Sequence, residues 1–238
     1  MIRVAFCVGQ YPGMERQRRI DCAKSYATAE VEIGILDIPA SPYTDAGLGP
    51  AGTQAVHPLL HKVFVQAERE GYDAVVPLGM LDLGIDGGRC LVDIPVIGPA
   101  HACLHVAALL GDRFGMICYQ PAAIAQHKHQ IREYGMEHFL AGFRSVDMPN
   151  NAMAKNHDRL VETFVREARR LIREDGADVI IPHGISQCPV HIKPDWLAKE
   201  LGVPVVEGIG APIRVAAMLA GLGYTQSRVR WPKARFAG

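Results

Sequence analysis

The stretch EGYDAVVPLG at residues 70–79 returns as DGADVIIPHG at residues 175–184, with Gly, Asp, Pro and Gly in the same register. A second pair follows, IPVIGPAHACLHVAALL at 94–110 and VPVVEGIGAPIRVAAML at 203–219. Similarity in fixed register is typical of a duplicated structural unit. Chance similarity between two ordinary βα units is the alternative, but the agreement of HVAALL with RVAAML favours duplication. Each half then consists of a strand, a glycine loop, a short helix, a second strand and a helix.

Short apolar runs alternate with helical patterns along the chain. The candidate strands are IRVAFCVG, VEIGILDI, DAVVPLG, IPVIG, RFGMICY, DVIIPHG and VPVVEG. They are rich in Val and Ile and apolar on both faces, as parallel strands covered on two sides are. The segments 55–71 and 158–176 carry apolar residues at helical spacing. The pattern therefore predicts an α/β fold with parallel sheets.

The duplication predicts two pseudo-symmetric, doubly wound, Rossmann-like domains. We expect the first to contain residues 1–98 and 207–238, and the second residues 99–206. Ligands of open parallel sheets bind at the carboxyl ends of the strands. Both glycine loops, which we call the first loop (79–82) and the second loop (183–187), are therefore expected to line a cleft between the domains.

The composition excludes several classes of partner. The chain has 238 residues, 49% of them hydrophobic, and its 25 basic side chains balance 25 acidic ones. Zero formal charge gives no reason to expect nucleic acid or a membrane surface as a partner. We see no signal peptide at the start and no apolar run near the roughly 20 residues that span a bilayer. None of the six cysteines forms a CxxC pair, so we expect a cytoplasmic protein with reduced thiols and, as its assembly, a homo-oligomer.

Three segments resemble the aspartate/glutamate/hydantoin racemase superfamily. YDAVVPLGMLDLG (72–84) is similar to its first site loop, ADVIIPHGIS (177–186) to its second, and GVPVVEGIGAPIRVAAML (202–219) to its closing segment. The resemblance extends from Ile2 to Leu222. It implies a two-domain fold, an active site in the cleft, and a small carboxylate or cyclic amide as substrate.

The chain departs from this family at the two positions that matter most for its chemistry. Family racemases carry one catalytic cysteine on each loop, and the corresponding residues here are Gly79 and Gly184. Cys188 lies four residues beyond the second position, and Cys7 and Cys118 lie at the ends of other strands. The resemblance therefore does not carry the two-thiol mechanism over to this chain.

Glycine loops that lead from strands into helices can bind anions through backbone N–H groups. We predict two such cradles, Gly79-Met80-Leu81 and Gly184-Ile185-Ser186. The alternative is simple turn geometry without a ligand.

His183 replaces the Leu78 of the first repeat, so the symmetry breaks toward a group that can transfer protons near neutral pH. We predict His183 at the rim of the cleft as the main catalytic acid/base, with Asp82 and Tyr119 assisting. A buried imidazole bonded to a backbone carbonyl is the alternative for His183, and helix capping is the alternative for Asp82.

Further strand ends and loops supply candidate substrate-binding residues. Besides the cradles, these are Gln10, His101, Cys118, Gln187 and Glu207. His127 and His129 lie in a charged helical segment and are predicted to be solvated.

No metal or cofactor is predicted, because His183, Cys188 and His191 do not have a standard zinc spacing. These residues together predict a cofactor-independent isomerase or lyase acting by acid/base chemistry on a small carboxylate or hydantoin-like ring. The alternatives are a hydrolase that uses a His-activated water, with or without a metal ion, and a non-catalytic binder of small anions.

Overall fold

A computed structural model describes residues 1–41 and 49–234. These residues divide into two compact units. The first contains the described residues of 1–78, 82–99 and 212–238, and the second contains residues 79–81 and 100–211. The predicted domain boundaries at 98/99 and 206/207 remain a proposal.

The first unit is built on a parallel sheet with strand order β2-β1-β3. Its strands are β1 (Ile2–Val8), β2 (Val31–Asp37) and β3 (Ala74–Pro77). Its first helices are α1 (Met14–Lys24), α2 (Pro50–Arg69) and α3 (Ile85–Leu91). A core of buried apolar residues, among them Cys7, Leu60, Phe64 and Val75, fills the space between this sheet and α2.

The second unit repeats this topology with strand order β5-β4-β6. The strands are β4 (Phe114–Cys118), β5 (Leu140–Ser145) and β6 (Val179–Pro182). The remaining α-helices, in chain order, are α4 (Pro99–Ala108), α5 (Ile124–Glu133), α6 (His157–Glu174), α7 (Pro194–Leu201) and α8 (Gly210–Gly221). Leu160, Phe164, Ala168 and Leu171 of α6 are buried in its core, as their helical spacing predicted.

Two predicted strands are reduced to isolated parallel bridges. IPVIG contributes one bridge between Val96 and Val75, and VPVVEG contributes one between Val205 and Ile180. Both bridges extend their sheets at the equivalent position, which agrees with the duplication. Conversely, β5 was missed, because an edge strand with Gly142 and Arg144 and only intermediate burial lacks the apolar signature of a central strand.

None of the helices in the described residues combines the length and the apolar character needed to cross a membrane.

Candidate active site

Residues 79–81 of the first loop approach the second loop inside the second unit. A Cβ atom added to Gly208 would lie 2.3 Å from the sulfur of Met80 and 3.1 Å from Cγ2 of Ile185. A residue of each loop therefore packs on the same glycine. Gln130 of α5 holds the first loop, because its Nε2 donates a hydrogen bond to the Met80 carbonyl at 3.0 Å.

The two glycines at the family's cysteine positions have different surroundings. Gly79 has a φ of +105°, and no described atom lies within 4 Å of the position that its Cβ would take. At Gly184 the corresponding position is occupied by Tyr119, whose ring carbons lie only 2.3–3.0 Å from it. A side chain at position 79 would therefore have room, whereas a side chain at position 184 would collide with the Tyr119 ring.

Tyr119 reaches the second loop because it follows β4, and β4 pairs with the strand that precedes Gly184. Its hydroxyl oxygen accepts a hydrogen bond from the Ser186 backbone N–H at 3.0 Å. The Gln187 backbone N–H is also engaged, since it donates to the Gly184 carbonyl at 3.0 Å. Within the predicted cradle at Gly184-Ile185-Ser186, a tyrosine oxygen therefore already accepts from the Ser186 amide that an anion was expected to use, and the cradle as a whole stays a prediction.

His183 does not lie at a rim. Its side chain is 2% exposed and packs against the ring of His127 at 4.0 Å and the ring of Phe143 at 5.7 Å. Neither ring nitrogen has a hydrogen-bond partner in another described residue. Burial, followed by the nearby His127, holds the pKa of His183 well below its usual value. The prediction of an exposed acid/base imidazole is corrected to a neutral imidazole inside the second unit.

His127 is also buried, which corrects its predicted solvated position. It lies on the inner face of α5, one turn before Gln130, and burial lowers its pKa to about 4. Gln130 was not among the predicted site residues, and His127 was predicted only as a solvated side chain. Their spacing of three was the available signal, because it places two polar side chains on one helix face.

The acidic candidates are engaged within their own units. The Glu207 carboxylate accepts hydrogen bonds from the backbone N–H groups of Ile209 and Gly210, each at 2.7 Å, at the start of α8. This is a helix cap, so the prediction that Glu207 binds substrate gives way to a structural role. Asp82 has a φ of +53° and is buried against Gly98, where an added Cβ would lie 2.5 Å from Oδ2.

The remaining candidates lie at strand ends or on α4. Gln10 is exposed, and its Nε2 donates to the Ile38 carbonyl at 3.4 Å. His101 packs its ring against His105 and Tyr134, at 4.4 and 4.6 Å. Cys118 is buried, and burial raises its pKa to about 11, so its thiol is a poor nucleophile near neutral pH.

Polar atoms that are enclosed without a partner concentrate around the two loops. Within residues 1–41 and 49–234 they include atoms of His127, Gln130, His183 and Gln187. No group of three His, Cys, Asp or Glu side chains in these ranges is arranged to hold a metal ion.

Comparison with known proteins shows which family the chain belongs to. A family model described as Asp/Glu/Hydantoin racemase matches residues 18–216. The chain belongs to this family. It is accordingly an enzyme of the isomerase/racemase type, as the sequence indicated.

Named relatives agree with this membership. A hydantoin racemase of Paenarthrobacter aurescens is 32% identical over 165 residues, which cover 68% of each chain. A hydantoin racemase of Rhizobium meliloti is 30% identical over 164 residues, covering 69% of this chain and 67% of the relative. The solved allantoin racemase from Klebsiella pneumoniae superposes with a TM-score of 0.86 at 22% identity, covering 100% of this chain and 97% of that one. This last likeness confirms the predicted α/β fold.

Proposed function

We propose that the protein is an acid/base isomerase of a hydantoin-like cyclic amide and that Tyr119 transfers the proton at the second loop. The observation that supports this most directly is the position of Tyr119, whose ring fills the Cβ site of Gly184 while its oxygen is bonded to the Ser186 N–H. The phenol thereby presents a titratable oxygen beside the loop on which family racemases carry a thiol.

The proposed reaction removes a proton from the ring carbon that lies next to a ring carbonyl. The electrons move onto that carbonyl oxygen, and the planar enolate is then protonated again at carbon. Because the substrate's own carbonyl holds the charge, the proposed reaction requires no cofactor. The hydrogen bond from the Ser186 N–H fixes the position of the Tyr119 oxygen beside the second loop, which favours Tyr119 as the proton-transfer group.

The first loop has the opposite role in the proposal. The open space beside Gly79 allows a ring to approach the backbone closely, and backbone N–H groups at Gly79-Met80-Leu81 would stabilise the enolate oxygen. Only one side of the substrate then faces a proton-transfer group. We therefore expect exchange of the carbon-bound proton with solvent to be faster than inversion of the stereocentre.

The test compares Tyr119→Phe with Tyr134→Phe, a matched control in the same unit. In D2O at pH 7, the wild type should place deuterium at C5 of one enantiomer of 5-methylhydantoin, followed by NMR. Loss of a general acid/base should lower kcat by about 100-fold or more in Tyr119→Phe and leave Tyr134→Phe near the wild type. Full activity of Tyr119→Phe would exclude this role, and a ring-opened product would favour the hydrolase alternative.

We also propose a cytoplasmic homo-oligomer. None of the six cysteines, all of which lie in the described residues, forms a disulfide, which fits a reducing compartment. Met218, Leu222 and Tyr224, on α8 and just beyond it, are large apolar side chains that remain exposed in one copy. Sedimentation should give a mass above the 25.9 kDa of one chain, and cell fractionation tests the location.

A further inference from the structure

The side-chain amide of Gln187 is enclosed by the fold but makes no hydrogen bond to another described residue. The residue is 0% exposed, and neither Nε2 nor Oε1 has a hydrogen-bond partner among the described residues. Burial of an amide without partners is unfavourable, and native proteins rarely tolerate it without a functional reason.

The backbone of the same residue is well satisfied. Its N–H donates to the Gly184 carbonyl at 3.0 Å, and its carbonyl accepts from the Ile192 N–H at 2.8 Å. The backbone of Gln187 is therefore held by hydrogen bonds, whereas its side-chain NH2 group and carbonyl oxygen have no partner among the described residues. This occurs on the second loop, three residues beyond the glycine whose Cβ site Tyr119 fills.

A second side-chain amide beside the loops also has an unpaired atom. Gln130 uses its Nε2 to hold the Met80 carbonyl of the first loop, but its Oε1 remains enclosed without a partner. Both ring nitrogens of His183, on the second loop, also lack a partner among the described residues. Enclosed polar atoms without a partner are therefore carried by the second loop and by the helix residue that holds the first.

We propose that Gln187 recognises the amide edge of the substrate ring. Its Oε1 would accept from a ring N–H, and its Nε2 would donate to the adjacent ring carbonyl. This donor–acceptor pair matches a cyclic amide or ureide and not a simple carboxylate, which has no N–H to offer. The inference rests on the proposed function and specifies which substrates of that class the site accepts.

Gln187→Met is the principal variant, because it keeps the length of the side chain and removes both polar atoms. If the amide only fills the core, the thioether should raise the melting temperature and leave activity unchanged. If the amide binds the substrate, kcat/KM for 5-methylhydantoin should fall by at least about 10-fold without loss of stability. Gln120→Met, at an exposed position of the same unit, is the matched control.

Substrate analogues provide a readout that needs no variant. The wild type should discriminate by at least about 10-fold against one of the 1-methyl and 3-methyl derivatives of 5-methylhydantoin, because a methyl group removes the N–H. In Gln187→Met this discrimination should nearly disappear. Gln187→Glu, which keeps an acceptor but loses the donor, should fall between the two.

Calorimetric titration with 5-methylhydantoin, together with the exchange assay, distinguishes failure of the proposed role of Gln187 from failure of the proposed function. An active wild type with unchanged kcat/KM and discrimination in Gln187→Met overturns the role of Gln187 and leaves the proposed function intact. If the wild type exchanges no proton, the proposed function fails. Equal affinity of wild type and Gln187→Met, or no binding by either, then also overturns the recognition.

Discussion

The two loops occupy equivalent positions in the repeated sequence, and each has a glycine at the position where the family resemblance implies a cysteine. The physical reasons that disfavour a side chain differ between the two positions. At Gly184 a side chain is excluded because the ring of Tyr119 occupies its place. At Gly79 there is space for a side chain, but the backbone has a φ of +105° that side chains disfavour. Two loops that look alike in sequence therefore differ in structure, since a phenol ring fills the space beside one glycine while no described side chain fills the space beside the other.

The strongest test of this difference is Gly184→Cys. The new Cβ would lie 2.3 Å from a Tyr119 ring carbon, so the ring must move and surrender its bond to Ser186. We expect a loss of about 3 kcal/mol in the free energy of unfolding, the upper range for overpacking, measured by urea titration.

A double-mutant cycle with Tyr119→Ala supplies the control for this substitution. Removal of the ring makes room for the cysteine, so Gly184→Cys should cost much less in the Tyr119→Ala background. Additive effects of the two substitutions would show that the ring and the glycine are independent, and would remove the basis of the comparison.

The buried histidines behind the second loop predict that the folded state is sensitive to acid. Burial lowers the pKa of His127 to about 4, against an ordinary value of 6.5, so the folded state prefers the neutral ring. Stability is then complete above pH 6.5 and is lost as the pH falls from 6.5 toward 4. The expected loss between pH 7 and pH 5 is about 2 kcal/mol, and His183 contributes in the same direction.

His127→Gln should remove the share of this pH dependence that His127 contributes, about 2 kcal/mol between pH 7 and pH 5, because glutamine does not titrate. The matched control is His129→Gln on the same helix, where the imidazole is exposed beside Glu133 and should change little. The measurement is the free energy of unfolding of the wild type and of both variants at pH 7 and pH 5. Equal pH dependence in wild type and His127→Gln would mean that His127 is not enclosed as described.

Much of the fold could be predicted from sequence because it depends on patterns that repeat. The apolar runs located β1, β2, β3, β4 and β6, and the duplicated segments predicted two similar halves, which the two sheets have in their equivalent strand orders. Edge positions were less predictable. β5 is only half-buried, and the IPVIG and VPVVEG runs make one bridge each, because pairing at a sheet edge depends on neighbours that are distant in sequence.

The position of the site on these loops stays a prediction, and the orientation of the side chains could not be predicted from the sequence. The sequence identified both loops, yet it could not show that the His183 ring points into the second unit and that Glu207 caps α8. The direction of a side chain at a strand end depends on local backbone angles. His127 and Gln130 were missed because a charged helix hides its buried face until its packing partner is known.

Gly79→Cys is the counterpart of the Gly184 substitution and should cost less. No described atom opposes its side chain, so the expected cost is the left-handed backbone alone, about 1–2 kcal/mol. The new thiol should react with iodoacetamide, followed by mass spectrometry, whereas the native Cys118 should not, because it is buried and its pKa is raised to about 11. A loss of stability as large as that of Gly184→Cys would contradict the difference between the loops.

The smallest expected effect concerns how the first loop is held. Gln130→Met breaks the bond from Nε2 to the Met80 carbonyl, but it also removes the enclosed Oε1 that has no partner. The two effects oppose each other, so urea titration should show a net loss below about 1 kcal/mol. Gln130→Glu is the sharper variant, because it replaces the donor with a second acceptor facing the same carbonyl and should be clearly worse than Met. If Glu and Met were equivalent, the first loop would not depend on α5, whereas the second loop would still depend on Tyr119.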